Sequence, residues 1–335
     1  MRIGMTYDLR DDYLAAGYGE LETAEFDRSD TIDALEGALR NLGHDPERVG
    51  NVRQMARHLV EGARWDLVFN IAEGVSGYGR EAQVPALLEA FDLPCTFSDS
   101  LVSALTLHKA MCKRVLQSCG IPTPAFALVE NEQELAGVDL PFPLFAKPVA
   151  EGTGKGITVA SKIQSRAQLE RVVLTLLTRF RQPVIVETWL PGREFTVGVL
   201  GTGADACALG SCELSFTSGA DAEIYSYRNK EHCESLVDYL PVQHSPFRSR
   251  LEALALTVWR TLGCRDAGRV DFRLDEHGEA SFLEVNPLAG LHPVHSDLPI
   301  IARLEGMDYT RLIGAIVESA SRRCASLQGA RATAA

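Results

Sequence analysis

The spacing of hydrophobic and polar positions changes several times along the chain, and each change marks an element. Arg2-Ile-Gly-Met-Thr-Tyr7 opens as a strand. From Ser29 to Gly43, apolar side chains recur at Ile32, Leu35, Leu39 and Leu42, the spacing of a helix with one buried face. Ser29 or Asp30 would cap that helix and Gly43 would end it. A helix near Val52 to Glu61, the strand Leu67-Val-Phe-Asn70 and a helix near Ala82 to Ala90 continue the alternation. Such strand-helix-strand series form parallel sheets covered by helices, with ligands at the carboxyl ends of the strands. The glycine-rich stretch from Ile71 to Arg80 stands at one of those ends.

The pattern then shifts near Ser103. Leu105 to Leu116 reads as one helix, stopped by Gly120, Pro122 and Pro124. Phe145-Ala-Lys-Pro148 reads as a strand and leads into Glu151-Gly-Thr-Gly-Lys-Gly-Ile157. That loop lacks the Lys-Ser/Thr ending of a Walker A sequence, so it is either a phosphate-wrapping loop of another kind or a plain hairpin turn. Arg166 to Arg181 is a helix, and Val184 to Leu190 and Arg193 to Leu200 are strands around Pro191-Gly192, which predicts a second, antiparallel sheet. Ser215 to Asp238 is polar and irregular and is expected to be a mobile loop. Leu251 to Leu262 and Thr310 to Ser321 are helices, and residues 327–335 form a flexible tail.

Arg269 to Leu274 and Ala280 to Asn286 read as a hairpin around Asp275-Glu-His-Gly278. Alternation puts Asp271, Glu284 and Asn286 on one face whether Asp271 lies opposite Glu284 or opposite Phe282. Carboxylates facing each other across strands repel unless a cation sits between them. Two carboxylates and an amide oxygen are hard ligands suited to Mg²⁺ held with phosphates; the alternative is a solvated outer face over a core of Val270, Phe272 and Val285.

At 335 residues, 46% hydrophobic, the chain suits two or three globular domains. A net charge of −12 argues against a nucleic-acid or anionic-membrane surface, so polyanionic ligands would need local Lys and Arg. The eight cysteines show no CxxC pair or zinc spacing. The N-terminus lacks the pattern of a signal peptide and no apolar run reaches the ~18 residues of a membrane span, so a cytoplasmic protein is expected. Asp8 to Asp30 carries eight carboxylates offset by Arg10 and Arg28, and is either a solvated loop or a lid for an amine or cation.

In order, Leu93-Pro-Cys-Thr96, Ser103-Ala-Leu-Thr-Leu-His-Lys109, Ala146-Lys-Pro148, Glu187-Thr-Trp-Leu190, Gly192-Arg-Glu-Phe-Thr-Val197, Tyr225-Ser-Tyr-Arg-Asn-Lys230, Gly268-Arg-Val-Asp271 and Leu283-Glu-Val-Asn286 resemble the ATP-grasp superfamily. Within it they are most similar to D-alanine:D-alanine ligases, and the likeness runs from about Asp66 to about Ser319. The resemblance implies an α/β and α+β chain with an N-terminal Rossmann-like parallel-sheet domain over 1–102. A two-subdomain ATP-grasp fold would follow, central over 103–183 and C-terminal over 184–326.

The resemblance further implies an ATP-dependent carboxylate–amine ligase that forms a dipeptide-type amide through an acyl phosphate. Lys109, Lys147 and Lys230 would hold ATP phosphates, with Thr153 in the loop that covers them. Glu187, Trp189 and Leu190 would form the adenine hinge, and Glu194 would take the ribose hydroxyls. Asp271, Glu284 and Asn286 would bind two Mg²⁺, with Mn²⁺ as a substitute, and Arg269 would face the reacting carboxyl group. Substrates would be amino acids or small carboxylic acids near Glu73, Gly290 and Ser296, and the assembly would be a homodimer with no nucleic-acid or membrane partner.

The substrate half departs from the family pattern. The Ser-x-Glu-Arg-Glu segment, whose Glu holds the first substrate's amine, is missing near the N-terminus, and the acidic stretch from Asp8 stands in its place. Glu231 replaces a Tyr after Lys230, and Ala289-Gly-Leu-His-Pro-Val-His-Ser-Asp297 replaces the Pro-Gly-x-Thr and Ser-Leu of the acceptor loop. Substrates other than D-alanine therefore stay open, as does a nucleotide-binding protein without ligation.

Overall fold

The computed structural model describes residues 1–221 and 223–334, with side chains through Cys324. Its first unit runs β1 (Arg2–Thr6), α1 (Arg10–Ala15), α2 (Ser29–Asn41), β2 (Asp45–Gly50), α3 (Val52–Val60), β3 (Leu67–Asn70) and α4 (Gln83–Ala90). The strands pair in parallel in the order β2-β1-β3. The sequence pattern hides β2, because Asp-Pro-Glu-Arg-Val-Gly buries only Pro46, Val49 and Gly50. As an edge strand it tolerates a proline. Helix α2 begins after Arg28, so Ser29 lies inside its first turn and caps nothing. The expected stop at Gly43 holds, with φ +79 there.

The second unit contains α5 (Ser100–Leu107), α6 (Lys109–Ser118), β4 (Phe126–Val129), β5 (Leu144–Pro148), β6 (Lys162–Ile163), α7 (Arg166–Phe180) and β7 (Val184–Thr188). Its four strands form an antiparallel sheet in the order β4-β7-β5-β6. The single helix expected over Leu105 to Leu116 is broken at His108. There the imidazole Nδ1 accepts from the Met111 amide at 3.3 Å, and the Lys109 amide bonds the Val149 carbonyl at 3.0 Å. The break brings Lys109 to the end of β5. Helix α7 packs Leu169, Val173 and Leu176 on Val184 and Val186.

The third unit comprises β8 (Glu194–Leu200), β9 (Cys207–Phe216), α8 (Tyr227–Glu231), α9 (Cys233–Leu236), β10 (Val237–Pro241), α10 (Pro246–Leu262), β11 (Ala267–Leu274), β12 (Ala280–Asn286), α11 (Asp297–Leu304) and α12 (Tyr309–Ala334). Its antiparallel sheet has the order β10-β9-β8-β11-β12. The segment from Ser215, expected to be an irregular loop, instead carries two short helices and the start of an edge strand. Helix α12 continues past the expected end at Ser321. The flexible tail assigned to 327–335 falls on residues whose side chains, and at Ala335 the backbone too, lie outside the described residues.

One face of the third sheet, including Val197, Val199, Val270 and Phe272, packs on Leu251, Ala255, Val258 and Trp259 of α10. Burying each large apolar side chain contributes roughly 1.5–3 kcal/mol. Helix α12 places Leu312, Ile313 and Ile316 in one cluster with Ile3, Phe69 and α2, so the first and third units share a core. Asp266 rivets that joint. Fully buried, its carboxylate accepts from the Phe97 amide at 2.8 Å, Ser319 Oγ at 2.9 Å, Thr202 Oγ1 at 3.1 Å and Arg323 Nη2 at 2.8 Å. Removing one partner of such a buried charge network costs about 3–5 kcal/mol. Asp266→Ala should therefore lower the unfolding free energy by that amount in a urea titration, and a loss below about 1 kcal/mol would contradict the assignment.

Candidate active site

The site is built on the hairpin of β11 and β12. Arg269 lies opposite Asn286 and Asp271 opposite Glu284, and beyond Asp271 the register shifts so that Phe272 faces Phe282. The shift leaves Leu283 unpaired, and Leu283 joins Glu284 in the wall of the neighbouring cavity. Val270, Phe272 and Val285 point the other way, into the α10 core.

A cavity of about 780 Å³ lies between the second and third sheets, lined by Lys109, Lys147, Glu187, Trp189, Leu190, Glu194, Lys230, Asp271 and Glu284 among others. Glu187, on β7, receives Lys113 at 2.8 Å and Lys147 at 3.3 Å. Burial alone would raise the Glu187 pKa, but the two ammonium groups outweigh it and hold the carboxylate lowered. Lys113 is fully buried, donates to the Phe282 carbonyl at 3.0 Å and thereby ties β7 to the hairpin. Lys109 Nζ reaches the Glu151 carbonyl at 2.6 Å and Glu284 at 3.6 Å. Arg273 pairs with Glu194 at 3.1 Å and lies 4.2 Å from the centre of the Trp189 ring, which Lys162 also approaches at 4.4 Å. Trp189 is thus held between two cations.

The facing carboxylates titrate in opposite directions. Glu284 would be raised by burial, yet Lys109, Lys147 and Lys230 keep it well below the usual carboxylate range. Asp271 is raised, by burial first and then by Glu284, against the pull of its ion-pair partner Arg269. One oxygen of Asp271, Oδ1, is buried with no hydrogen-bond partner, and Asn286 Nδ2 stands 3.5 Å from the other. An orphaned carboxylate oxygen beside a second carboxylate and an amide oxygen fits a hard divalent cation. Among the described residues no group of three His, Cys, Asp or Glu side chains gathers as a closed metal cage. The set therefore needs oxygens from a ligand to complete a coordination shell, as Mg²⁺ with phosphates does.

A second cavity, of about 1490 Å³, opens beside the first and shares Tyr225 and Lys230 with it. Glu73, Thr153, Arg269, Asn286, Gly290 and Ser296 line it. Thr153, expected over the phosphates, thus faces this second cavity. The glycine loop is bent sharply, with positive φ at Thr153, Gly154 and Gly156. A Cβ on Gly154 would stand 2.9 Å from the Tyr227 amide nitrogen, so only glycine lets the loop meet α8. The acidic N-terminal stretch is solvated only in part, with Asp11, Asp12, Glu20, Glu22 and Asp30 exposed and Asp8 buried. Its Thr23-Ala-Glu25 brings Glu25 onto Arg80 at 2.8 Å, Lys155 at 3.4 Å and the Gly152 amide, and these contacts keep Glu25 lowered despite burial. A carboxylate from the stretch that stands in place of the Ser-x-Glu-Arg-Glu pattern therefore reaches the cavity.

Every residue singled out from the sequence lines one of the two cavities. Sequence reasoning missed Lys113, although its i+4 spacing from Lys109 is a helical signal, and Arg273, which continues the alternation of Arg269 and Asp271. Glu25, Arg80 and Lys155, far apart in the chain, left no local signal at all.

The family model "D-ala D-ala ligase C-terminus" matches residues 115–318. The D-alanine–D-alanine ligase of Aquifex aeolicus is 32% identical over 86% of this chain and 93% of its own length. That of Bordetella avium is 34% identical over 85% and 87%. The fold superposes on the ATP-complexed D-alanine–D-alanine ligase of Bacillus anthracis with a TM-score of 0.73 at 20% identity, covering 97% of this chain and 99% of that one. VanG D-Ala:D-Ser ligase from Enterococcus faecalis gives 0.73 at 21% identity, covering 95% and 99%.

The second cavity sets a pH dependence. Burial, then the neighbouring Asp8 and Asp30, pushes Asp27 up to about 8, and burial pushes Glu81 up to about 7. Both groups ionise near pH 4 in an unfolded chain, so between about pH 4 and 8 the folded form binds more protons. Their contribution to stability is therefore full below about pH 4 and is lost as the pH rises through 7 to 8. Glu25 and Glu187, being lowered, act in the opposite sense: their contribution is present above about pH 4.5 and is lost only as the pH falls below that. Melting of the ligand-free protein should show stability falling by more than about 1 kcal/mol from pH 5.5 to 8.5, and Asp27→Asn should flatten that slope. An unchanged slope in the variant would refute the assignment.

Proposed function

This chain belongs to the D-alanine–D-alanine ligase family of ATP-dependent ligases, and from that premise we propose that it joins a carboxylate to an amine, with ATP in the smaller cavity and the two substrates in the larger one. The observation that carries this reading is the meeting of Asp271 and Glu284 with Lys109, Lys147 and Lys230 where the cavities join.

A carboxylate is a poor electrophile and is first converted to an acyl phosphate. Lys109, Lys147 and Lys230 offset the negative charge of the triphosphate and of the approaching carboxylate, which otherwise repel. Bound at Asp271, Glu284 and Asn286, two Mg²⁺ or Mn²⁺ ions would neutralise the outer phosphates and polarise the transferred group. Glu187, Trp189 and Leu190 seat the base, and Glu194 takes the ribose hydroxyls. Arg269 receives the oxyanion that forms when the amine attacks the acyl carbon, before phosphate leaves. Thr153 with the rest of the glycine loop, together with α8 and α9, excludes water from the acyl phosphate.

Glu73, Gly290 and Ser296 place the substrates. D-alanine is one candidate pair. A second reading, an amino acid or small acid carrying additional positive charge, is favoured by Asp27, Glu73 and Glu81. Their carboxyl groups line the larger cavity, take part in no side-chain hydrogen bond or ion pair among the described residues, and are all pushed up by burial, so that a bound cation would find more carboxyls to ionise than one ammonium requires. We extend the reading to a cytoplasmic homodimer acting on small molecules; among the described residues no helix is long and apolar enough to cross a membrane.

Phosphate release from ATP should occur with at least one pair from a panel of D- and L-amino acids, and should require Mg²⁺ or Mn²⁺. Glu284→Gln should abolish that release while far-UV circular dichroism still shows a folded protein. Full turnover in this variant would remove the metal assignment, and no turnover by the unaltered protein with any pair would remove the ligase reading.

A further inference from the structure

Arg269 has two ion-pair partners. One is Asp271, a candidate metal ligand, and the other is Asp297, whose Oδ2 stands 3.2 Å from the Arg269 Nε. Both side chains of the second pair are largely buried, with 12% and 11% exposed. The other oxygen of Asp297 accepts from the Tyr239 hydroxyl at 2.8 Å and the Tyr225 hydroxyl at 3.3 Å, and the two hydroxyls lie 2.7 Å apart. Asp297 therefore has partners on both oxygens. It is also rigidly mounted, because it opens α11, whose Leu298, Ile300 and Ile301 are buried. A carboxylate at that end of a helix is further stabilised by the helix dipole. The acceptor loop of the resembling family usually has Ser-Leu where this chain reads Ser296-Asp297.

These contacts have a consequence once Asp271 is engaged elsewhere. A cation bound at Asp271 draws that carboxylate away from the guanidinium, and without a second anchor Arg269 would lose its orientation. We propose that Asp297, held by Tyr225 and Tyr239, is a positioning residue for Arg269: it grips Nε and leaves Nη1 and Nη2 turned to the reacting carboxyl group. The assignment rests on the ligase reading above, and it adds Asp297, which lines the larger cavity, to the residues on which the turnover step depends.

Steady-state kinetics on the full chain, with whichever pair from the panel supports phosphate release, test it. Displacing a guanidinium by about 1 Å costs on the order of 10²-fold in rate, so Asp297→Ala should lower kcat by that factor. The KM for ATP should stay within about twofold, since Asp297 itself does not line the smaller cavity. Asp297→Glu, which keeps the carboxylate, should recover part of the loss. Tyr239→Phe, which keeps the packing and removes one donor, should lower kcat in the same sense by a smaller factor, and it serves if Asp297→Ala does not fold. The double variant Arg269→Ala/Asp297→Ala should be no slower than Arg269→Ala alone. A wild-type kcat in Asp297→Ala, or losses that multiply in the double variant, would overturn the proposal. No release by the unaltered protein with any pair would overturn the ligase reading, and this assignment with it.

Discussion

Two carboxylates held face to face across one hairpin set the terms for everything around them. Asp271 and Glu284 cannot both be comfortable as bare anions at cross-strand distance, and the backbone register gives them no escape. The chain answers with cations from elsewhere: Lys109 from the start of α6, Lys147 from the end of β5, Lys230 from α8 and Arg269 from the same strand. The compensation is partial, since it leaves Glu284 ionised and Asp271 raised. A site with spare negative charge on one wall and spare positive charge on the other is matched to a metal-bound polyphosphate, which presents both signs.

This arrangement requires three sheets to meet, and the fold is spent largely on making them meet. The second sheet supplies Lys147 and Glu187, the third supplies the hairpin, and Lys113 links the two from behind through Glu187 and the Phe282 carbonyl. The first unit is fixed to the third by Asp266 and by the shared core of α2 and α12. The cavities are therefore properties of joints between units, and their shape follows from how those joints pack.

Much of this was legible in the chain because periodicity reports what a strand or helix buries. The hairpin, the α7 stripe and the lysine ending β5 could all be read from spacing, and the ordered run of motifs supplied the likeness that spacing alone does not. What stayed hidden has physical reasons. Strand β2 carries charges because it is an edge, and the break at His108 depends on a bond to Val149 that lies 40 residues ahead. The bulge at Leu283 follows from the five-residue turn Asp275–Glu279, which shifts the register that a two-residue loop would have kept. The Glu25, Arg80 and Lys155 group joins three distant segments, and no local pattern encodes an ion pair of that kind.

That last group has a mechanical meaning. The glycine loop is pinned to the N-terminal stretch through Glu25 and abuts α8 at Gly154 and Tyr227, where the Tyr227 amide bonds the Ile157 carbonyl at 3.4 Å. Three chain segments from three units thus form one interlocked shutter over the junction of the cavities. Lifting any leaf of it breaks contacts with the others, so the openings of the two cavities are geared together.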